Sequence, residues 1–149
     1  MEIQRTVAIN APPELVWDVI TDLVSAKEWA PGFEDYPFIS KEWPAKASTA
    51  VWRYHAGPMK TDFRLTIVES NRGEGLQIAN ASRFGKGLEQ YRFSHADGVT
   101  TVDYRTTSNL NLIGSLFTVF IKGRLNRQVD ATVANLKKRC EMLAQRKAP

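Results

Sequence analysis

Residues 87–107 read Gly87-Leu88-Glu89-Gln90-Tyr91-Arg92-Phe93-Ser94-His95-Ala96-Asp97-Gly98-Val99-Thr100-Thr101-Val102-Asp103-Tyr104-Arg105-Thr106-Thr107. Asp97-Gly98 lies between two alternating runs, and an Asp-Gly step in that setting is a hairpin turn signal. Side chains of a strand alternate between two faces. Glu89, Tyr91 and Phe93 share one parity and oppose Gln90 and Arg92, while Val102, Tyr104 and Thr106 oppose Asp103 and Arg105. Both arms therefore carry aromatic and aliphatic groups on one side and hydrogen-bonding or charged groups on the other. That is the signature of an antiparallel sheet packed on one face and solvated on the other.

Working outward, the same division recurs. Trp52 and Tyr54 oppose Val51, Arg53 and His55; Phe63, Leu65 and Ile67 oppose Asp62, Arg64 and Thr66; Leu76, Ile78 and Asn80 oppose Gln77, Ala79 and Ala81. Val51, Val68 and Val99 break the division, which implies a bulge or a register error. The expected strands are 2–10, 34–42, 48–55, 60–69, 75–82, 87–95 and 99–107. Turn signals at Trp43-Pro44-Ala45, Gly57-Pro58, Asn71-Arg72-Gly73, Arg83-Phe84-Gly85-Lys86-Gly87 and Asp97-Gly98 separate the last six. Between the first strand and the rest, Leu15, Val16, Val19, Ile20 and Leu23 fall at helical spacing behind Pro12-Pro13. Ser25-Ala26-Lys27-Glu28 has the form of a capping box opening a second short helix. A stripe of Leu125, Val129, Val133, Leu136, Cys140 and Leu143 predicts a long terminal helix to about residue 145. Unbroken from residue 112, that helix is about 50 Å long, against a domain width of roughly 35–40 Å. A bend or break near Gly114 or Gly123 is therefore expected.

The 149 residues suit a single domain, 1–149, with one core. One cysteine, Cys140, excludes an internal disulfide and a cysteine-built zinc site, and the two histidines, His55 and His95, are forty residues apart. No metal and no cofactor are expected. The segment Leu110–Ile121 is uncharged but far shorter than the about 20 residues that a spanning helix needs. Met1–Arg5 runs directly into a strand pattern, so no leader, no transmembrane segment and a cytoplasmic location are expected, with room left for transient membrane contact. The formal charge is +4, weighted toward Lys122, Arg124, Arg127, Lys137, Lys138, Arg139, Arg146 and Lys147. These cations either complement a helix dipole or attract acidic lipid or RNA. No feature points to DNA, and the oligomeric state is open.

Ile9-Asn10-Ala11-Pro12-Pro13-Glu14-Leu15-Val16-Trp17-Asp18-Val19-Ile20-Thr21-Asp22, followed by Trp29-Ala30-Pro31, resembles the opening of START-like (SRPBCC superfamily) proteins of the polyketide cyclase/dehydrase-like branch. Gly98–Tyr104 and Asn135–Glu141 fit the same resemblance, which extends along essentially the whole chain. It implies an α+β helix-grip fold: a seven-stranded antiparallel sheet wrapped around a long C-terminal helix, with two short helices after strand 1. It also implies a deep, largely apolar cavity between sheet and helix. Members bind or transport lipids, sterols, quinones or polyketides, some cyclise or dehydrate a substrate, and some act through protein partners, so the fold leaves function open.

On this reading the ligand-binding candidates are Trp52, Tyr54, Phe63, Leu65, Ile78, Tyr91, Phe93 and Tyr104 from the inner face of the sheet. Phe84 joins them at the tip of a glycine-rich flap, and Leu116, Phe117 and Phe120 from the start of the long helix. Tyrosine fills a core poorly unless its hydroxyl finds a partner, so the inward tyrosines favour a lined space over solid filler. Glu89 shares their parity. Near apolar walls its pKa would rise and make it an acid or base alongside Tyr91 and Tyr104; at a strand end it would simply reach water. Trp17 reads as a packing anchor and Trp29 as a helix-end plug; Arg5 either meets an acidic ligand group or reaches out to solvent. His55 falls on the wet face, and His95 at a turn. Arg83–Gly87 lacks the spacing of a phosphate loop, and no nucleophile elbow is visible. The leading expectation is a protein that binds a hydrophobic or aromatic small molecule. The alternatives are a polyketide cyclase or dehydratase, and a protein- or RNA-interaction module using the basic terminal helix.

Overall fold

The Asp97-Gly98 turn forms as its residues require. Asp97 and Gly98 both adopt positive φ, 54° and 77°, and Ala96 pairs with Val99 across the turn. Two left-handed residues match the twist of the strands they join. The structure is a computed structural model describing residues 1–56 and 59–147, so the Gly57-Pro58 turn lies outside the described residues. Its elements are β1 (Glu2–Ile9), α1 (Pro13–Thr21), a 3-10 turn (Ala26–Glu28), β2 (Phe33–Ile39), β3 (Thr49–Ala56), β4 (Met59–Asn71), β5 (Gly75–Ser82), β6 (Gly85–Ala96), β7 (Val99–Leu110) and α2 (Leu112–Lys147). The strands form one sheet in the order β1-β7-β6-β5-β4-β3-β2, every neighbouring pair antiparallel. This is the α+β helix-grip arrangement, with α2 against the inner face of the sheet.

The outer face is the charged ladder read from the alternation. Arg53 donates two hydrogen bonds to Asp62 (2.9 and 3.1 Å), Thr6 donates to Asp103 (2.7 Å), and Gln77 donates to Glu69 (3.0 Å). Of the three valines that broke the pattern, Val68 marks a bulge: Ile67 pairs with Ile78 and Glu69 with Gln77, leaving Val68 over. Val51 and Val99 stay in register. The core lies under α1 and the C-terminal half of α2, around Ile9, Val16, Ile67, Leu76, Val102 and Cys140.

Three expectations need correction. Ser25 makes no capping bond; the Asp22 carboxylate instead accepts the Val24 and Ser25 N–H groups (3.1 and 3.3 Å), and only a three-residue 3-10 turn follows. The glycine-rich flap is a tight two-residue turn, because Ser82 pairs with Gly85 and only Arg83 and Phe84 lie between the strands. The long helix does not break: α2 runs 36 residues without interruption. A domain's width limits only a helix that it contains whole, whereas the first turns of α2 project, leaving Leu112, Leu116, Val119 and Phe120 exposed. Among the described residues no helix is long and apolar enough to cross a membrane.

The start of α2 is clamped. Asn111 caps it, its Oδ1 accepting the Gly114 N–H at 2.9 Å. The Asn111 Nδ2 group donates to the Arg83 carbonyl (2.8 Å), and its backbone N–H donates to the Phe84 carbonyl (3.0 Å). Farther along, α2 is tied to β1: Arg5 donates to Asp130 (2.6 Å), Lys137 to the Ala8 carbonyl (2.7 Å), and Asn10 N–H to Glu141 (3.0 Å). Arg5 is thus a strand-to-helix tie made at the surface, in keeping with a chain that reaches out to solvent, and it does not line the cavity between the sheet and α2.

Candidate functional site

Between the inner face of the sheet and α2 lies a cavity of about 320 Å³, within the range of small-molecule sites. Its floor is built by β3 to β7, whose inward residues follow the alternation. Trp52 faces Phe63 across β3 and β4, Leu65 faces Asn80 across β4 and β5, and Ile78, Glu89 and Thr106 align across β5 to β7. Gly114, Phe117, Thr118, Leu125, Gln128 and Val129 of α2 form the roof. Gln128 is held by donating to the Pro31 carbonyl (2.9 Å), which pins the loop after the 3-10 turn against the helix.

Among the described residues, the one carboxyl of the cavity and two of its three phenols stand together on β6 and β7. The Tyr91 hydroxyl donates to the Glu89 carboxylate at 3.1 Å. Tyr91 and Tyr104 are directly opposed across the two strands, ring centroids 4.9 Å apart. Burial raises the Glu89 pKa above the usual carboxylate range, partly offset by the Tyr91 hydrogen bond. Burial, reinforced by the neighbouring Glu89 charge, holds the Tyr91 and Tyr104 phenols well above their ordinary value. Tyr54 is pushed up to about 12 by burial, against the pull of Arg124. At neutral pH the cavity therefore presents neutral phenols, beside a carboxyl group that burial makes a stronger base than one in water.

Nine of the residues picked out in the sequence line this space: Trp52, Tyr54, Phe63, Leu65, Ile78, Phe84, Tyr91, Tyr104 and Phe117. Glu89 lines it as well, in place of a strand-end position in water. Phe93 does not; it packs against the buried core beside its partner Val102. Leu116 and Phe120 do not either. At about 100° per helical residue they point opposite to Gly114, Phe117 and Thr118, and both are exposed. Phe84 is no free tip, since its ring meets Phe117 edge-on at 5.4 Å.

The sequence reading missed other wall residues. Trp29 is 4% exposed and lines the cavity besides closing its helix end. Trp43, read as part of a turn, lines it too, held by an Nε1 bond to the Thr21 carbonyl (2.8 Å). Asn80 was legible, because it shares the parity of Leu76 and Ile78. Among the described residues the buried Nε1–H groups of Trp17 and Trp29 have no acceptor. His55 and His95 are exposed. No group of His, Cys, Asp and Glu converges as a metal site among the described residues.

The fold has solved counterparts. TTHA0849 from Thermus thermophilus superposes with a TM-score of 0.79 at 18% identity, covering 97% of this chain and 99% of that one. The Zhui aromatase/cyclase from a Streptomyces species superposes with a TM-score of 0.78 at 13% identity, covering 95% and 93%. The di-domain ARO/CYC BexL gives 0.72 at 16% identity, covering 95% of this chain and 50% of that one. At such identities these likenesses establish the fold alone. No curated protein matches by sequence. A family match does span residues 1–141, in keeping with the sheet, the α2 roof and the cavity between them: the chain belongs to the polyketide cyclase/dehydrase and lipid transport family.

Proposed function

We propose that the protein binds an apolar or aromatic small molecule carrying a neutral oxygen function, of the lipid, quinone or polyketide kind, between the sheet and α2. The observation that carries this reading is the make-up of the cavity. Its walls are mostly aromatic and aliphatic; Glu89, Tyr91 and Tyr104 stand together on β6 and β7, and single polar side chains such as Tyr54, Asn80 and Gln128 are set elsewhere in the wall. An apolar body gains from leaving water, while phenol hydroxyls donate to a carbonyl or hydroxyl. Among the described residues no Lys or Arg is bonded to Glu89, and Lys86, the cation in the lining, is exposed. Trp29, Trp43 and Trp52 in the wall supply the readout. Addition of a long-chain quinone or of an aromatic polyketide is expected to quench their emission saturably, with a matching mass shift in native mass spectrometry. Absence of both signals across lipid, quinone and polyketide mixtures would overturn the reading.

The Glu89–Tyr91 bond favours a second reading, catalysis of cyclisation or dehydration. In a dehydration the Glu89 carboxylate takes the proton α to a substrate carbonyl and returns it to the departing hydroxyl, which leaves as water. The Tyr104 phenol holds the enolate oxygen, and the Tyr91 hydroxyl turns to it once Glu89 has taken the proton. Glu89→Gln with Tyr91→Phe should then abolish turnover while preserving binding; unchanged turnover removes these roles.

A further inference from the structure

We infer that the outward side of the first three turns of α2 is a docking face for an anionic lipid surface. Leu112, Val119 and Phe120 are 78%, 79% and 86% exposed, and Ile113 and Leu116 are exposed with them. At about 100° per residue these five form one stripe, opposite the side on which Gly114, Phe117 and Thr118 roof the cavity. The stripe thus contributes nothing to the ligand space, and a patch this apolar on the surface marks a site of contact.

Its occupant follows from charge. From Tyr104 to Val129 the chain has no Asp or Glu, while Arg127, in line with the stripe, and Arg124, at its edge, follow it within two turns, both exposed. Asp130, the next acid, is taken by Arg5. A second copy laid on the stripe has no carboxylate on this segment to offer these cations. An anionic bilayer satisfies both parts at once: the stripe sinks to the acyl boundary while the basic side chains reach the headgroups. The helix then lies on the membrane instead of crossing it, consistent with its short apolar length.

Vesicle flotation tests this. The whole protein is expected to float with phosphatidylcholine vesicles containing phosphatidylserine, far less with phosphatidylcholine alone, and to be released by salt. Each basic residue near the surface contributes about fivefold in partitioning, so Arg127→Glu should weaken binding by about fivefold or more. Val119→Ser with Phe120→Ser should reduce it by at least about 10-fold. None of these residues lines the cavity, so ligand quenching should persist in both variants and report an intact fold. Failure of the parent protein to float at low salt overturns the proposal. A concentration-dependent dimer in sedimentation, dispersed by the Val119→Ser, Phe120→Ser pair, overturns it too and gives the face to a second copy.

Discussion

The two halves of α2 do opposite work. The C-terminal half closes a filled interior: Leu136 and Cys140 pack with Ile9, Val16 and Val102, and Lys137 and Glu141 fasten the helix to β1. The N-terminal half roofs a hollow and presents its remaining apolar residues to the outside. One unbroken helix thus spends the same residue types on stability at one end and on vacancy and exposure at the other. Filled cores lose stability steeply when atoms are removed. A hollow has few such contacts to lose, so it holds aromatic and polar groups ready for something other than the chain itself.

The contrast can be broken most forcefully at its filled end. Leu136 is 3% exposed, and Leu136→Ala is expected to cost about 2–5 kcal/mol, read as a lower midpoint in urea unfolding. A loss under about 1 kcal/mol would mean that the interior beneath the C-terminal half is loose. At the hollow end the sensitive place is the clamp. A Cβ on Gly114 would strike the Phe84 carbonyl oxygen. Gly114→Ala should therefore destabilise by about 1–3 kcal/mol, although alanine is the better helix former.

Glu89 sharpens the comparison through pH. Its folded pKa lies above the ordinary value because of burial, so the native state holds the proton more tightly than the unfolded chain. Relative to Glu89→Gln, the parent protein is most stable below the unfolded carboxylate pKa of about 4.3. It loses that advantage as pH rises through the raised folded value. Asp62 and Glu141, whose pKa values are lowered by their hydrogen-bond partners, have the opposite slope at lower pH, but they are common to both proteins and cancel in the difference. A parent-minus-variant stability that is flat from acid to neutral pH would place Glu89 in water. The smallest effect belongs to the exposed stripe: Val119→Ser with Phe120→Ser should shift stability by no more than about 0.5 kcal/mol. A larger loss in the isolated protein would mean that the stripe is already covered.

How much of this was legible beforehand depended on the kind of signal. Alternation on β3 to β7 located the wet and packed faces, and with them Tyr91, Tyr104 and Glu89, because a strand's period leaves two choices and Arg53, Asp62 and Asp103 decide between them. The Val68 bulge was visible only as one of three misfits, and alternation alone did not separate it from Val51 and Val99, which stay in register. Leu116 and Phe120 were misassigned because a segment apolar all round carries no mark of which side meets protein. Trp29 and Trp43 were missed because loops bring them to the cavity, and loop position depends on contacts distant in sequence, such as the Trp43 bond to Thr21. The continuity of α2 was misjudged because chain length bounds a domain's width only when nothing projects.

Asn111 is one residue, yet it holds three pieces of backbone: its side chain joins the Arg83 carbonyl to the first turn of α2, and its own N–H takes the Phe84 carbonyl. The hairpin tip and the helix start are consequently one lever. Phe84 and Phe117, which meet at that end of the cavity, can part only by breaking the Asn111 bonds or by tilting the projecting helix and the tip together. A force applied to the outward stripe therefore reaches the cavity wall twice, directly through Phe117 of the same helix and through the bonds of Asn111 to the hairpin tip.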